Sequence, residues 1–291
     1  MSTVSQLGGT PLSVLQAIVL GITQGITEFA PISSSGHLIL VPWFFEWPIL
    51  NDPNFNKTFD VALHVGTLVG ALVYFRRDVV RYFLAAVRSI RARAIRTTDE
   101  RLAWALVVGT IPGVLVGATL EDTIQENLSQ PVVIAVMLAV FGIVLYVVDR
   151  LASVRRRFED ISVRGGLALG VAQAVALQPG VSRSGITITA GRLLGIGRAG
   201  AARFSFLLSL PIIFGAGVFK GVDLVATGIP SGMAWPFFWG FVSAAVSGFL
   251  VIAFLLSYLR RHDFAIFMWY RIAVAALSIA LVASGARPAT V

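Results

Sequence analysis

Two stretches of this chain gather side chains able to do chemistry. Residues 24–38, QGITEFAPISSSGHL, hold Gln24, Thr27, Glu28, three serines and His37 within an otherwise apolar region. Residues 173–187, QAVALQPGVSRSGIT, hold Gln173, Gln178, two serines, Arg183 and Thr187. Gln24 and Glu28 stand four apart, so both leave one face of a helix. Pro31 then turns the chain into Ser33, Ser34, Ser35 and Gly36, which suit the start of a following helix. A helix start offers unpaired N–H donors and the positive end of the macrodipole, a seat for an anion. His37 sits in that first turn, where an imidazole can pass a proton near neutral pH. In the second stretch Gln178, Pro179 and Gly180 make the turn, Ser182 or Ser184 caps the next helix, and Thr187 lies a turn further on. Arg183 adds a planar fork of donors matched to phosphate oxygens. Brought face to face, the two stretches offer a carboxylate, an imidazole, a guanidinium and a cluster of hydroxyls. Phosphoryl transfer asks chiefly for such positioning and electrostatic stabilisation.

The cost of these groups argues for a function. An ionised carboxylate at bilayer depth costs roughly 2.5–3.5 kcal/mol on insertion scales. Plainer readings exist for each residue alone. Serine and glycine pack helices together in membranes, an intramembrane Glu can be a structural hydrogen-bonder, and an intramembrane Arg can meet a helix C-terminus. His64 reads as a satisfied interior histidine and Asp60 as a helix cap. Tyr270 and Arg271 read equally as anchors near the cytoplasmic boundary or as substrate contacts. The coincidence of Glu28, His37 and Arg183 on matched stretches favours the functional reading.

The match between the stretches is positional. At a fixed offset of 149, Gln24 pairs with Gln173, Ile32 with Val181, Ser33 with Ser182, Ser35 with Ser184 and Gly36 with Gly185. The chain therefore reads as two related halves, each with one polar tip. Of its 291 residues 56% are hydrophobic and 13% charged, and the mean hydropathy is +0.83. A soluble domain is about 45–50% apolar and about 25% charged, so this is a polytopic membrane protein. Cysteine is absent, which removes disulfides and thiolate metal sites. The first eleven residues carry no Lys or Arg, unlike the n-region of a signal peptide. The net charge of +8 lies between oily segments, which fits the positive-inside rule and not a nucleic-acid partner.

The elements that position the tips follow from hydropathy. Residues 12–30 form an apolar helix ending at Pro31, and residues 37–50 form a second apolar run broken by Pro42 and Pro48. A run of about 10–14 residues is short for a span, so 12–50 reads as a re-entrant helical hairpin. Residues 51–58 read as a polar loop. Three spans follow, over 59–75, 102–120 and 131–149. Residues 163–195 repeat the hairpin, and three more spans cover 204–222, 233–259 and 264–284. The expected fold is all-α, a single membrane domain with repeat one over 12–149 and repeat two over 163–284. Three spans per repeat would insert the second half upside down, and inverted repeats with interrupted helices place a site near the midplane. Loop charges agree. Residues 76–101 hold eight arginines and 150–164 hold five, whereas 121–130 and 223–232 hold no Lys or Arg. The basic side is the cytoplasm, and both termini then lie outside.

At these residues the sequence closely resembles the bacterial undecaprenyl-diphosphate phosphatase family of the bacitracin-resistance type. One family signature appears as QGITEFAPISSSGH and the other as PGVSRSGIT; FDVALHVGT (59–67), RFSFLLSLP (203–211) and MWYR (268–271) extend the likeness over nearly the whole chain. The resemblance implies hydrolysis of a C55 polyprenyl diphosphate to the monophosphate and inorganic phosphate, assisted by a divalent cation, Mg²⁺ or Ca²⁺. That reaction regenerates the lipid carrier for peptidoglycan and gives bacitracin tolerance. It implies the bacterial cytoplasmic (inner) membrane, a site opening to the outer, periplasmic face, and room for a homodimer. By position, Glu28 becomes the essential carboxylate and metal ligand, Arg183 the phosphate clamp and His37 an acid/base. Ser34, Ser182 and Thr187 fall on motif hydroxyls, and Ser33, Ser184 and Gln24 join them as substrate contacts. Many members have Glu where this chain has Gln24, and an amide is no general base, which shifts the burden to Glu28.

The expected mechanism has Arg183 and the helix starts at Ser34 and Ser182 hold the two phosphates. Glu28 binds the cation, and Ser34 attacks the terminal phosphorus with His37 as base, or a water attacks instead. A lipid or solute flippase of inverted-repeat architecture is the alternative, since broken helices also describe transporters. The phosphatidic-acid phosphatase pattern is set aside, because it needs a histidine at position 189, which is Thr189.

Overall fold

The computed structural model describes residues 12–290. The reading of the first eleven residues as lacking a signal-peptide charge region falls outside that range. Among the described residues the regular elements are helices. A first hairpin comprises α1 (Val14–Phe29) and α2 (Ser34–Phe44), followed by α3 (Pro53–Tyr74), α4 (Arg76–Ala92), α5 (Thr98–Leu128) and α6 (Pro131–Leu151). A second hairpin comprises α7 (Val163–Ala174), a 3₁₀ turn (Val175–Leu177) and α8 (Arg183–Leu193). It is followed by α9 (Arg198–Thr227), α10 (Ala234–Tyr258) and α11 (Ala265–Ala283). Helices α5, α6, α9, α10 and α11 each hold a stretch long and apolar enough to cross a membrane, and α3 joins them as the apolar half of a bent pair with α4. Side chains such as Val114, Leu115, Leu250 and Phe254 project outward from these helices, as lipid contact requires. The chain is a multi-pass membrane protein.

The hairpin arms are too short to span. At about 1.5 Å per residue, the 16 residues of α1 fall short of the roughly 30 Å hydrocarbon core, and the 11 residues each of α2 and α8 fall further short. Each first arm instead lies against a helix of the other half: α1 packs along α10, and α7 along α5. Both contacts use glycine to bring backbones together. A side chain at Gly21 or Gly25 would collide with main-chain atoms at Gly240, Ala244 and Gly248, and one at Gly166 or Gly170 with those of Ala105 and Gly109. Gly21 and Gly170 are partners at the same offset of 149 that matches the tips. Small residues at such contacts replace the hydrophobic driving force that lipid does not supply.

Three expectations need correction. Residues 51–58 are mostly helix: α3 begins at Pro53, capped by Asp52, whose carboxylate accepts Phe55 N–H at 3.0 Å. Asp60 therefore lies inside α3 and does not open it. Residues 76–101 hold α4 where a loop was expected, because its five arginines hide an amphipathic period that buries Tyr82, Ala85 and Ser89. Last, α5 continues to Leu128 through most of the presumed loop at 121–130.

Candidate active site

Each tip is a hinge of the same design. Ser33 and Ser182 are the N-cap residues of α2 and α8, and both take a positive φ of 75°. Ser33 Oγ accepts Gly36 N–H at 3.4 Å, and Ser182 Oγ accepts Gly185 N–H at 3.1 Å. The strained backbone of a non-glycine residue at positive φ persists where its surroundings hold it. Here they do, because the two tips bind one another. Gly180 N–H donates to Ser33 Oγ at 3.0 Å, and Ser184 Oγ donates to Ala30 O at 3.0 Å.

Across this joint lies an ion pair. Arg183 Nη2 donates to Glu28 Oε1 at 2.9 Å, linking residues 155 positions apart. The other carboxylate oxygen accepts Ser34 Oγ–H at 2.6 Å and Gln24 Nε2–H at 3.1 Å. The Glu28 side chain is only 5% exposed and that of Arg183 14%. A buried charge pair of this kind is held by its extra hydrogen bonds as much as by Coulomb attraction. A third group stands at the mouth. His64 of α3, its side chain 35% exposed, brings Nε2 to 3.7 Å from Glu28 Oε2. Its Nδ1 donates to Asp60 O at 2.8 Å, since a carbonyl can only accept.

The other anticipated residues divide in two. Thr187 lies beside the pair, its hydroxyl 2.6 Å from Ser205 Oγ, while Arg183 Nη1 donates to Ser205 O at 3.4 Å. Ser33, Ser182 and Ser184 are buried, and their hydroxyls bond within the joint itself. His37 is also turned away. Its Nδ1 meets Ser33 O at 2.7 Å and its Nε2 meets the Tyr270 hydroxyl at 2.9 Å, with the two rings stacked. Neither nitrogen reaches Ser34, so the structure does not bring the expected base to the expected nucleophile. Beside the buried Glu28, the side chains of Ser34, Arg183 and His64 are partly exposed.

These positions decide nothing about kinship; the comparison of sequences does. Residues 17–277 match the model of the family described as bacitracin resistance protein BacA. The chain belongs to the BacA family. It is similar to the undecaprenyl-diphosphatase of Desulforudis audaxviator, 49% identical over 263 residues that cover 90% of this chain and 95% of the relative. The same-named protein of Moorella thermoacetica is 47% identical, with 93% and 98% covered. That of Pelobacter propionicus is 43% identical, with 94% and 99% covered. The likeness thus spans whole chains, both tips included.

The family likeness implies a divalent cation, and the donors present can be tested against one. Hard cations take oxygen ligands, and Mg²⁺ often uses one or two carboxylates with substrate phosphates completing its shell. Glu28 supplies a carboxylate, Ser34 a hydroxyl on it, and Gln24 Oε1 a buried amide oxygen with no hydrogen-bond partner. Among the described residues no group of three His, Cys, Asp or Glu forms a self-contained site. The donors fit a cation that shares phosphate oxygens with a substrate.

Two participants escaped the sequence reading. His64 looked like an interior residue because its partner Glu28 is 36 positions away in sequence. Arg271, open to reading as an anchor or a substrate contact, lies in the joint between the tips. It is fully buried and donates to Leu138 O (2.7 Å), Met137 O (3.3 Å), Pro31 O (3.0 Å), Gly180 O (2.8 Å) and Val181 O (3.1 Å). It ties α6 and both tips into one unit, and Gly142 leaves room for its stem. An arginine in the last span was the visible signal; carbonyl partners from three distant segments were not.

Proposed function

We propose that the chain hydrolyses undecaprenyl diphosphate to undecaprenyl phosphate and inorganic phosphate. This recycles the lipid carrier for cell-wall synthesis and confers bacitracin tolerance. The observation that carries the reading is the Glu28–Arg183 pair at 2.9 Å with Ser34 on the same carboxylate. Relatives named undecaprenyl-diphosphatase, matched over nearly their full length, support the substrate.

In this mechanism the diphosphate takes the Arg183 fork from Glu28 and lies against the start of α2. Ser34 Oγ, already donating to Glu28, passes its proton there and attacks the terminal phosphorus. The bond to the bridging oxygen breaks and undecaprenyl phosphate leaves; water then cleaves the phosphoserine to release phosphate. Direct attack by water is the alternative, and a phosphoserine trapped during turnover separates the two. In this route Glu28 takes the proton, while His37 braces the tip through Ser33 and Tyr270. Mg²⁺ or Ca²⁺, held by Glu28 and Gln24 Oε1, would neutralise the charge of the two phosphates. The halves insert with opposite orientation, a reading supported by the arginine-rich connections at 76–101 and 150–164 against the Lys- and Arg-free 121–130 and 223–232. The site then opens to the periplasmic face of the inner membrane.

Phosphate release by purified, detergent-solubilised protein tests the reading. Release should need divalent cation, stop with chelator and be lost in Glu28→Ala. A protein that releases no phosphate in detergent but moves lipid between leaflets of sealed vesicles would be a transporter instead.

A further inference from the structure

Helix α4 carries a surface that the reaction does not use. Its axis turns 82° away from that of α3. α3 is the apolar half of this bent pair, and with α3 upright in the bilayer an 82° turn lays α4 close to the membrane plane. One face is fixed to the protein. Tyr82, Ala85 and Ser89 are buried, Asp78 pairs with Arg203 of α9 at 2.8 Å, and Trp104 of α5 donates to Ser89 Oγ at 2.7 Å. The opposite face is apolar and uncovered. Val80, Phe83, Leu84 and Ile90 follow helical spacing there, with Phe83 66% and Ile90 60% exposed. Water would not tolerate such a patch without cost.

Arginines border this face and stand at its two ends. Arg76, Arg77, Arg88 and Arg91 are all exposed, and none forms an ion pair among the described residues. Arg81, by contrast, is engaged by Asp78 and Asp99. An apolar face sunk to the acyl boundary, with cations level with the headgroups, is the arrangement of an interfacial helix. Self-association through this face would set like charges against each other, which disfavours a second copy as the occupant. We propose that α4 is an interfacial helix that recruits acidic phospholipid headgroups: Phe83 and Ile90 enter the acyl boundary, while Arg77, Arg88 and Arg91 bind the anionic headgroups. The inference is independent of the enzymatic reading, since no residue of α4 touches Glu28, Ser34 or Arg183.

The absence of cysteine makes the test direct. Phe83→Cys gives a single labelling site in the full-length protein, reconstituted into phosphatidylcholine vesicles containing phosphatidylglycerol. A spin label at 83 should collide with oxygen far more often than with an aqueous nickel chelate. A bimane label there should be quenched by brominated phosphatidylglycerol as though that lipid were enriched about fivefold over brominated phosphatidylcholine. Salt should weaken the preference. The triple variant Arg77→Gln, Arg88→Gln, Arg91→Gln should abolish it and leave the label immersed. A label open to the nickel chelate overturns the proposal, as does equal quenching by both lipids. Dipolar coupling between labels on two copies overturns it in favour of a dimer.

Discussion

The two tips share a backbone and differ in chemistry. Both begin a short helix at a serine with φ of 75°, and Ser35 and Gly36 recur as Ser184 and Gly185. Among the positions that differ are those carrying charge or a titratable ring. Glu28 corresponds to Leu177, Ser34 to Arg183 and His37 to Ile186. The joint needs both copies alike, because each caps its own helix and then reaches across to the other. The pocket needs them unlike, because two carboxylates or two guanidiniums at 2.9 Å would repel. A repeated scaffold thus supplies the geometry, and divergence at two positions, Glu28 against Leu177 and Arg183 against Ser34, supplies opposite charges to one point.

The sharpest way to break this comparison is at Arg183, the residue that the second tip contributes. Arg183→Ala should lower kcat for phosphate release by about 10³-fold or more, by analogy with arginines that stabilise transferring phosphoryl groups. Arg183→Lys keeps a cation beside Glu28 but loses the fork, so it should stay folded with intermediate activity. Full activity in Arg183→Ala would remove this residue from the mechanism.

Arg271 tests whether the tips are one unit. Arg271→Ala would leave five buried carbonyls without their donor. Each buried acceptor left unpaired costs about 1–3 kcal/mol, so the variant should lose several kcal/mol of stability, read as a lower melting temperature in detergent. Activity should fall with the fold, and phosphate should not rescue it. A variant that melts like wild type would mean that the serine contacts alone hold the joint.

The smallest effect sharpens the contrast between matched glutamines. Gln24 donates to Glu28, whereas both polar side-chain atoms of Gln173 are buried without a partner. An unsatisfied buried amide costs about 1–3 kcal/mol. Gln173→Leu should therefore leave stability unchanged or raise it by about 1 kcal/mol, with phosphate release intact. Gln24→Leu should impair release and weaken the dependence on cation. Equal behaviour of the two variants would show that the halves are not specialised as described.

The tips themselves were legible in the sequence, because polar residues in apolar segments stand out and a constant offset ties the two together. Glu28, Arg183 and Ser34 belong to one site for the reason that led to their selection. The spans were legible as well, since hydropathy over about twenty residues reports lipid contact. Helix α4 was not, because its charge masks a period that only its buried face reveals. His37 meets Ser33 and Tyr270 while His64 meets Glu28: distance along the chain says nothing about which ring nitrogen faces which oxygen.

Composition, the 149-residue repeat and two polar signatures alone determine a membrane-embedded, two-tipped helical protein and place Glu28, Ser34 and Arg183 in its tips. The partners were decided only by the tertiary structure. It set Ser33 and Ser184 to joining the tips, His37 to Tyr270, His64 to the Glu28 carboxylate and Arg271 to five carbonyls. Side-chain type is written locally, but a hydrogen bond needs its two atoms within about 3 Å of each other. Bringing residues from opposite halves of the chain that close is the work of packed helices.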